Sequence, residues 1–252
     1  MTAIPSYRIS AYTANQYSSL FKSLNQKVDH LYEHLNSDFL VTTRKVKKYS
    51  TVARKKLQSE KATESLSTKI KKAIRSFDHI MVELQYHDII RQKLEHIYTV
   101  ERCLSEEFSD LYEHPQANKP LFYVLAMSDI IELAINQLKC IKEEYLLASN
   151  KIQQRLRALW TDREISSQLQ LFLFNTSENL RNVIQSIDLL IKMHERIRTE
   201  RNTFEVTCTE ETRMKILNEI KKLYTMESER EIFNATFGIT EESVLVEDGI
   251  FF

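Results

Sequence analysis

The chain has 252 residues, 42% of them apolar and 28% charged, with 2 Gly, 3 Pro and a formal charge of zero from 35 basic and 35 acidic side chains. That balance argues against a general nucleic-acid binder, which needs an excess of cations to neutralise phosphates. So few turn formers also exclude a sheet-based fold, whose tight turns call for Gly, Pro or Asn-Gly. Neither Gly nor Pro occurs between Ser6 and His114 or between Leu121 and Phe237. Such stretches suit helices, where each would cost roughly 1 to 3 kcal/mol. Cys103, Cys140 and Cys208 are widely spaced and form no Cys-x-x-Cys pair, which fits a reducing compartment. Residues 1–12 lack the apolar core of a signal peptide, and no apolar run approaches a membrane span. A cytoplasmic protein is the expectation.

In chain order, residues 1–11 read as an N-terminal tail. Residues 12–58 read as one long helix, with Leu20, Leu24, Val28, Leu31, Leu35 and Phe39 at helical spacing. Its later part carries a basic stretch, Arg44 to Lys61, read as a solvated helix face. Residues 62–108 read as a second helix with Leu66, Ile70, Ile74, Phe77, Met81 and Leu84 at steps of three or four, after a soft, Ser- and Thr-rich boundary near Ser59 to Ser67. The sharpest break is Pro115 to Pro120. Helices are then expected over 121–159 and 163–201, with Asp162 as the N-cap between them. A shorter one follows over 210–237, interrupted near Thr225.

The fold expected is all-α: an elongated four-helix bundle of two tandem long hairpins (12–114 and 115–237), plus a short C-terminal helix and a tail at 238–252.

The second helix holds the candidate site. Phe77, Met81 and Leu84 lie on one stripe, and helical steps continue it through Asp88, Arg91, Gln92 and Glu95. Buried unpaired charges are costly. Either this face opens to solvent, or the groups satisfy one another, or a partner docks on it. Asp88 with Arg91 also reads as a local helix pair, and the four side chains as a structural network. His87 and His96, nine residues apart, fall on opposite helix faces and do not form a metal site.

The segment Tyr86-His87-Asp88-Ile89-Ile90-Arg91-Gln92 resembles the Asp-x-x-x-Gln motif of CheZ-type phosphatases, which act on chemotaxis response regulators phosphorylated at aspartate. Leu84 to His96 is closer still to CheZ-like helical proteins with the pattern Leu-Gln-aromatic-His-Asp-x-x-Arg-Gln-x-x-Glu-His, and Tyr224 to Arg230 resembles a segment near their end. The resemblance implies a protein-aspartyl-phosphate phosphatase acting on a CheY-like phosphorylated regulator. Gln92 would position the attacking water, and Asp88 would pair with the regulator's lysine. Tyr86, Arg91 and Glu95 would contact the partner. No cofactor of its own is implied, the regulator supplying Mg²⁺. An amide suits this task because it donates and accepts from one group, and positioning is most of what a reactive acyl phosphate lacks.

In that family the bundle forms by dimerisation, whereas here both hairpins are expected in one chain; a homodimer through the first hairpin stays open. The second hairpin lacks the motif: Asp129 is followed four later by Leu133, and Asp188 by Lys192. A bare acid-x-x-x-Gln also arises by chance, as at Glu164 and Gln168.

The acidic, apolar C-terminus, with Val244, Leu245, Val246, Ile250, Phe251 and Phe252, reads either as a strand or loop packed on the bundle or as a recognition peptide; the CheZ resemblance implies a tether for the regulator, and a chemoreceptor-array protein is the other partner expected. The competing expectations are a non-catalytic adaptor in a signalling complex and a purely structural coiled coil.

Overall fold

The computed structural model describes residues 6–58, 64–114, 121–159, 166–200 and 205–239. The fold is all-α, with six α-helices among the described residues: α1 (Ala11–Gln58), α2 (Glu64–Glu113), α3 (Met127–Ala158), α4 (Ser166–Glu200), α5 (Glu210–Leu223) and α6 (Glu227–Phe237). None is long and apolar enough to cross a membrane. The connections at 59–63, 115–120 and 160–165 and the tail at 240–252 lie outside the described residues, and with them the Pro115–Pro120 break and the Asp162 cap.

The interruption expected near Thr225 is present between α5 and α6. Thr209 caps α5 by accepting the Thr212 amide at 3.2 Å. The Glu229 carboxylate reaches back to the Met226 amide at 3.4 Å at the start of α6. Gly238 ends α6 with φ 65°, a left-handed conformation that favours glycine. Unforeseen was a short antiparallel ribbon, β1 (Ser6–Arg8) against β2 (Glu205–Thr207), with Ser6 opposite Thr207, Tyr7 opposite Val206 and Arg8 opposite Glu205. Part of the expected N-terminal tail is therefore a paired strand.

The chain gathers into two compact units, and each takes a segment of all four long helices. The first comprises Met1–Val28, Lys93–Lys139 and Leu189–Phe252; the second comprises Asp29–Gln92 and Cys140–Asp188. In the second unit, Val46 of α1, Phe77, Ile80 and Leu84 of α2, Ile152 and Leu156 of α3 and Phe172 of α4 make one buried cluster. In the first, Phe108 stacks on Tyr17 and Phe21 at ring separations of 5.2 and 5.9 Å. Ile216, Leu217 and Ile220 of α5 and Phe233 of α6 are fully buried there.

One side chain sets the start of α3. The Glu107 carboxylate accepts the amides of Phe122 (2.7 Å), Tyr123 (3.0 Å) and Val124 (2.8 Å), at the mouth of the 3-10 turn Val124–Ala126 that leads into α3. Amides with no helical partner are thereby satisfied by an anion at the positive end of the helix. Burial pushes the Glu107 carboxyl up, and the three amides pull against it. Glu107→Ala is expected to cost about 1 to 3 kcal/mol of unfolding free energy. Glu107→Gln, which keeps one acceptor oxygen, should recover part of the loss. Urea denaturation followed by circular dichroism measures both.

Candidate functional site

Each residue turns a helix by about 100°, so neighbours in sequence face different surroundings. The buried line of α2 runs Phe77, Ile80, Leu84, His87, Ile90, Leu94, Ile97. Asp88, Arg91 and Gln92 therefore flank the core line and do not continue it. Met81 is half-buried and packs against the buried cluster of the second unit. The physical reason is that Leu84 can be followed on one face by residue 87 or residue 88, and the imidazole goes inward where the carboxylate cannot.

Asp88, Arg91 and Gln92 form one cluster in the second unit. The Asp88 side chain is 51% exposed and that of Arg91 31%. Arg91 Nε donates to Asp88 Oδ1 at 3.0 Å, with Nη2 2.9 Å from the same oxygen, while Gln92 Nε2 donates to Asp88 Oδ2 at 3.2 Å. Arg91 Nη1 donates to the Tyr32 hydroxyl of α1 at 2.5 Å, and its guanidinium carbon stands 5.4 Å from the centre of the same ring. Tyr32 first, then Asp88, holds the guanidinium in its charged form. Both Asp88 oxygens thus face donors of α2 itself. Gln92 keeps its amide oxygen and a second N–H for a further partner.

Directly beneath, His87 is 5% exposed and neither ring nitrogen has a hydrogen-bond partner. Its ring packs 6.2 Å from Phe39 and 5.2 Å from Tyr145. Burial lowers its pKa from 6.5 to about 4, so the imidazole is neutral at pH 7. Below pH 6.5 the unfolded chain binds a proton here that the folded chain refuses, so stability falls as the pH drops towards 4. The loss is about 3 kcal/mol. His87→Leu, close in volume, should flatten this acid slope in urea midpoints measured between pH 7 and 4.

Tyr86 is 40% exposed, with the Lys151 ammonium 6.0 Å from its ring centre, and Lys151 also lies 3.6 Å from Glu83. Glu95 is exposed and belongs to the first unit, where its carbonyl accepts the Thr99 hydroxyl. Val244, Leu245, Ile250, Phe251 and Phe252 lie outside the described residues. The two look-alike acids of the second hairpin are held by cations. Asp129 takes a forked pair of 2.9 Å bonds from Arg213, and Asp188 takes Lys142 Nζ at 2.6 Å. Among the described residues, no group of three His, Cys, Asp or Glu side chains could hold a metal ion.

The first unit contains polar chemistry that sequence reasoning missed. His194 and Glu101 are each 1% exposed, and Nε2 of the histidine lies 2.5 Å from the carboxylate. Nδ1 of His194 meets the Leu190 carbonyl at 2.7 Å, where it must donate. Nε2 is then left to share a proton with the Glu101 carboxyl. Burial pulls its pKa down most, but Glu101 and the Leu190 carbonyl together raise it above 6.5. His96 Nδ1 lies 2.8 Å from the buried Glu229, and the His96 ring meets the edge of Tyr224 at 5.9 Å. Segments 84–96 and 224–230 therefore touch at this point. A signal for it existed in the His of the first and the Glu of the second, but nothing in the sequence paired them. The stability lent by His194 should be fully present below pH 6.5 and lost as the pH rises through its folded pKa. His194→Gln should remove that alkaline decline in a thermal-melt series.

Comparison of the chain with protein-family models, with curated proteins and with solved structures gives no match.

Proposed function

We propose that the protein binds a CheY-like response regulator and speeds hydrolysis of its phosphoaspartate. The observation that carries this reading is the pair Asp88 and Gln92, one turn apart, hydrogen-bonded at 3.2 Å and reachable from solvent. In this proposal the regulator's lysine takes the place of Arg91 on Asp88, and the Gln92 amide holds a water in line with phosphorus. The Mg²⁺ and the acyl phosphate come with the regulator, so the site has only to position. Exposed Tyr86 and half-buried Arg91 flank the pair as contacts for the partner, and the C-terminal peptide is proposed as a tether.

A second reading is a non-catalytic adaptor in a chemotaxis or signalling complex. Its specific support is that both Asp88 oxygens are already occupied by Arg91 and Gln92.

The test is the lifetime of a phosphorylated CheY-like regulator with Mg²⁺ in the presence of the full chain. The expected result is acceleration that Gln92→Ala reduces by roughly a hundredfold, with regulator binding retained. Asp88→Ala should weaken binding and rate together. Binding without any change in lifetime would establish the adaptor; unchanged acceleration by Gln92→Ala would sink the site assignment.

A further inference from the structure

The zero net charge of the chain divides unequally. The second unit carries 19 Lys and Arg against 14 Asp and Glu, and the first carries 16 against 21. Within the second unit the imbalance concentrates on α1 and α2. From Leu40 to Arg75 the described residues hold 11 Lys and Arg and a single acid, Glu64. Arg54 pairs with Asp78 at 2.8 Å, and Lys45 stands 5.4 Å from the centre of the Phe172 ring.

Most of the others are exposed, and their spacing is ordered. Arg44, Lys47, Lys48 and Lys55 recur at helical steps on the outward face of α1, opposite buried Thr42, Val46 and Ala53. Leu40 and Val52 share that face at 44% and 46% exposure. The stripe runs about 22 Å along the helix. Exposed Lys69, Lys72 and Arg75 extend the same charge onto α2 of this unit.

From this we infer that the basic face of the second unit binds the surface of an anionic lipid bilayer. Like charges at this density repel one another and gain most from a dense anionic surface, at about 1 kcal/mol per Lys or Arg near the headgroups. Apolar side chains interleaved with lysines fit the headgroup boundary, where such helices bury a shallow apolar edge. Nucleic acid fits less well. No exposed aromatic ring lies in the stripe for bases to stack on, and lysines outnumber the arginines that read base edges.

The test is flotation of the full chain with phosphatidylcholine vesicles, with and without phosphatidylglycerol. Binding is expected only to the anionic vesicles and should weaken steeply with salt. The triple variant Lys47→Gln, Lys48→Gln, Lys55→Gln should lose roughly a hundredfold in partition coefficient. All three side chains are exposed, so helicity should stay as in the wild type, checked by circular dichroism. Leu40→Ser with Val52→Ser should lose a smaller factor. The inference is overturned if anionic vesicles fail to bind at low salt, or if the triple variant binds them as the wild type does. It is also overturned if duplex DNA or RNA binds more tightly than the vesicles with the same lysine dependence.

Discussion

A continuous helix must keep one line of side chains against the core, whatever their chemistry, and in α2 that line passes through His87. The turn of about 100° per residue then leaves Asp88 no choice but the outer surface. Phe39 and Tyr145 enclose the imidazole, Leu84 and Ile90 fix the rotation on either side, and the cluster of Asp88, Arg91 and Gln92 inherits its position from them. The candidate site is therefore built from inside outward. Its exposed part contributes little to holding itself in place, since a partly exposed ion pair such as Asp88 with Arg91 adds well under about 1 kcal/mol.

Polar side chains lie in the interior of both units. The second accepts an uncharged imidazole without partners and so keeps it neutral. The first pairs carboxyl groups with imidazoles: Glu101 with His194, and Glu229 with His96 and the Met226 amide. Removing one member of such a pair is more damaging than removing both, because the survivor is left without a partner in a poor solvent. Interior pairs like these tie α2 to α4 and α6 through particular atoms, where apolar packing alone would tolerate sliding by a turn.

The helices were legible because the chain is nearly free of Gly and Pro and its apolar residues keep helical spacing. The gap near Thr225 was expected as well and lies between α5 and α6. The strands were not: Ser6–Arg8 and Glu205–Thr207 are too short to show alternation, and their pairing joins residues about 200 positions apart. The Asp88–Gln92 pair was legible from spacing, but its surroundings were not, since Leu84 leads equally well to residue 87 or 88. Glu101, His194 and Glu229 escaped because a charged residue in an amphipathic pattern reads as surface, and only the tertiary partner reveals that it is interior. The division into two units escaped too, because each unit gathers segments of all four long helices that are far apart in sequence.

Glu107 binds backbone 15 to 17 positions further along the chain. The register of α3 against α2 in the first unit is thereby written in a carboxylate on the earlier helix. The residues between them are relieved of that task. Related chains could lengthen, shorten or rewrite the connection at 115–120 while the helices stay in step. A loop carrying an added binding element could be grafted there without disturbing the rest of the bundle.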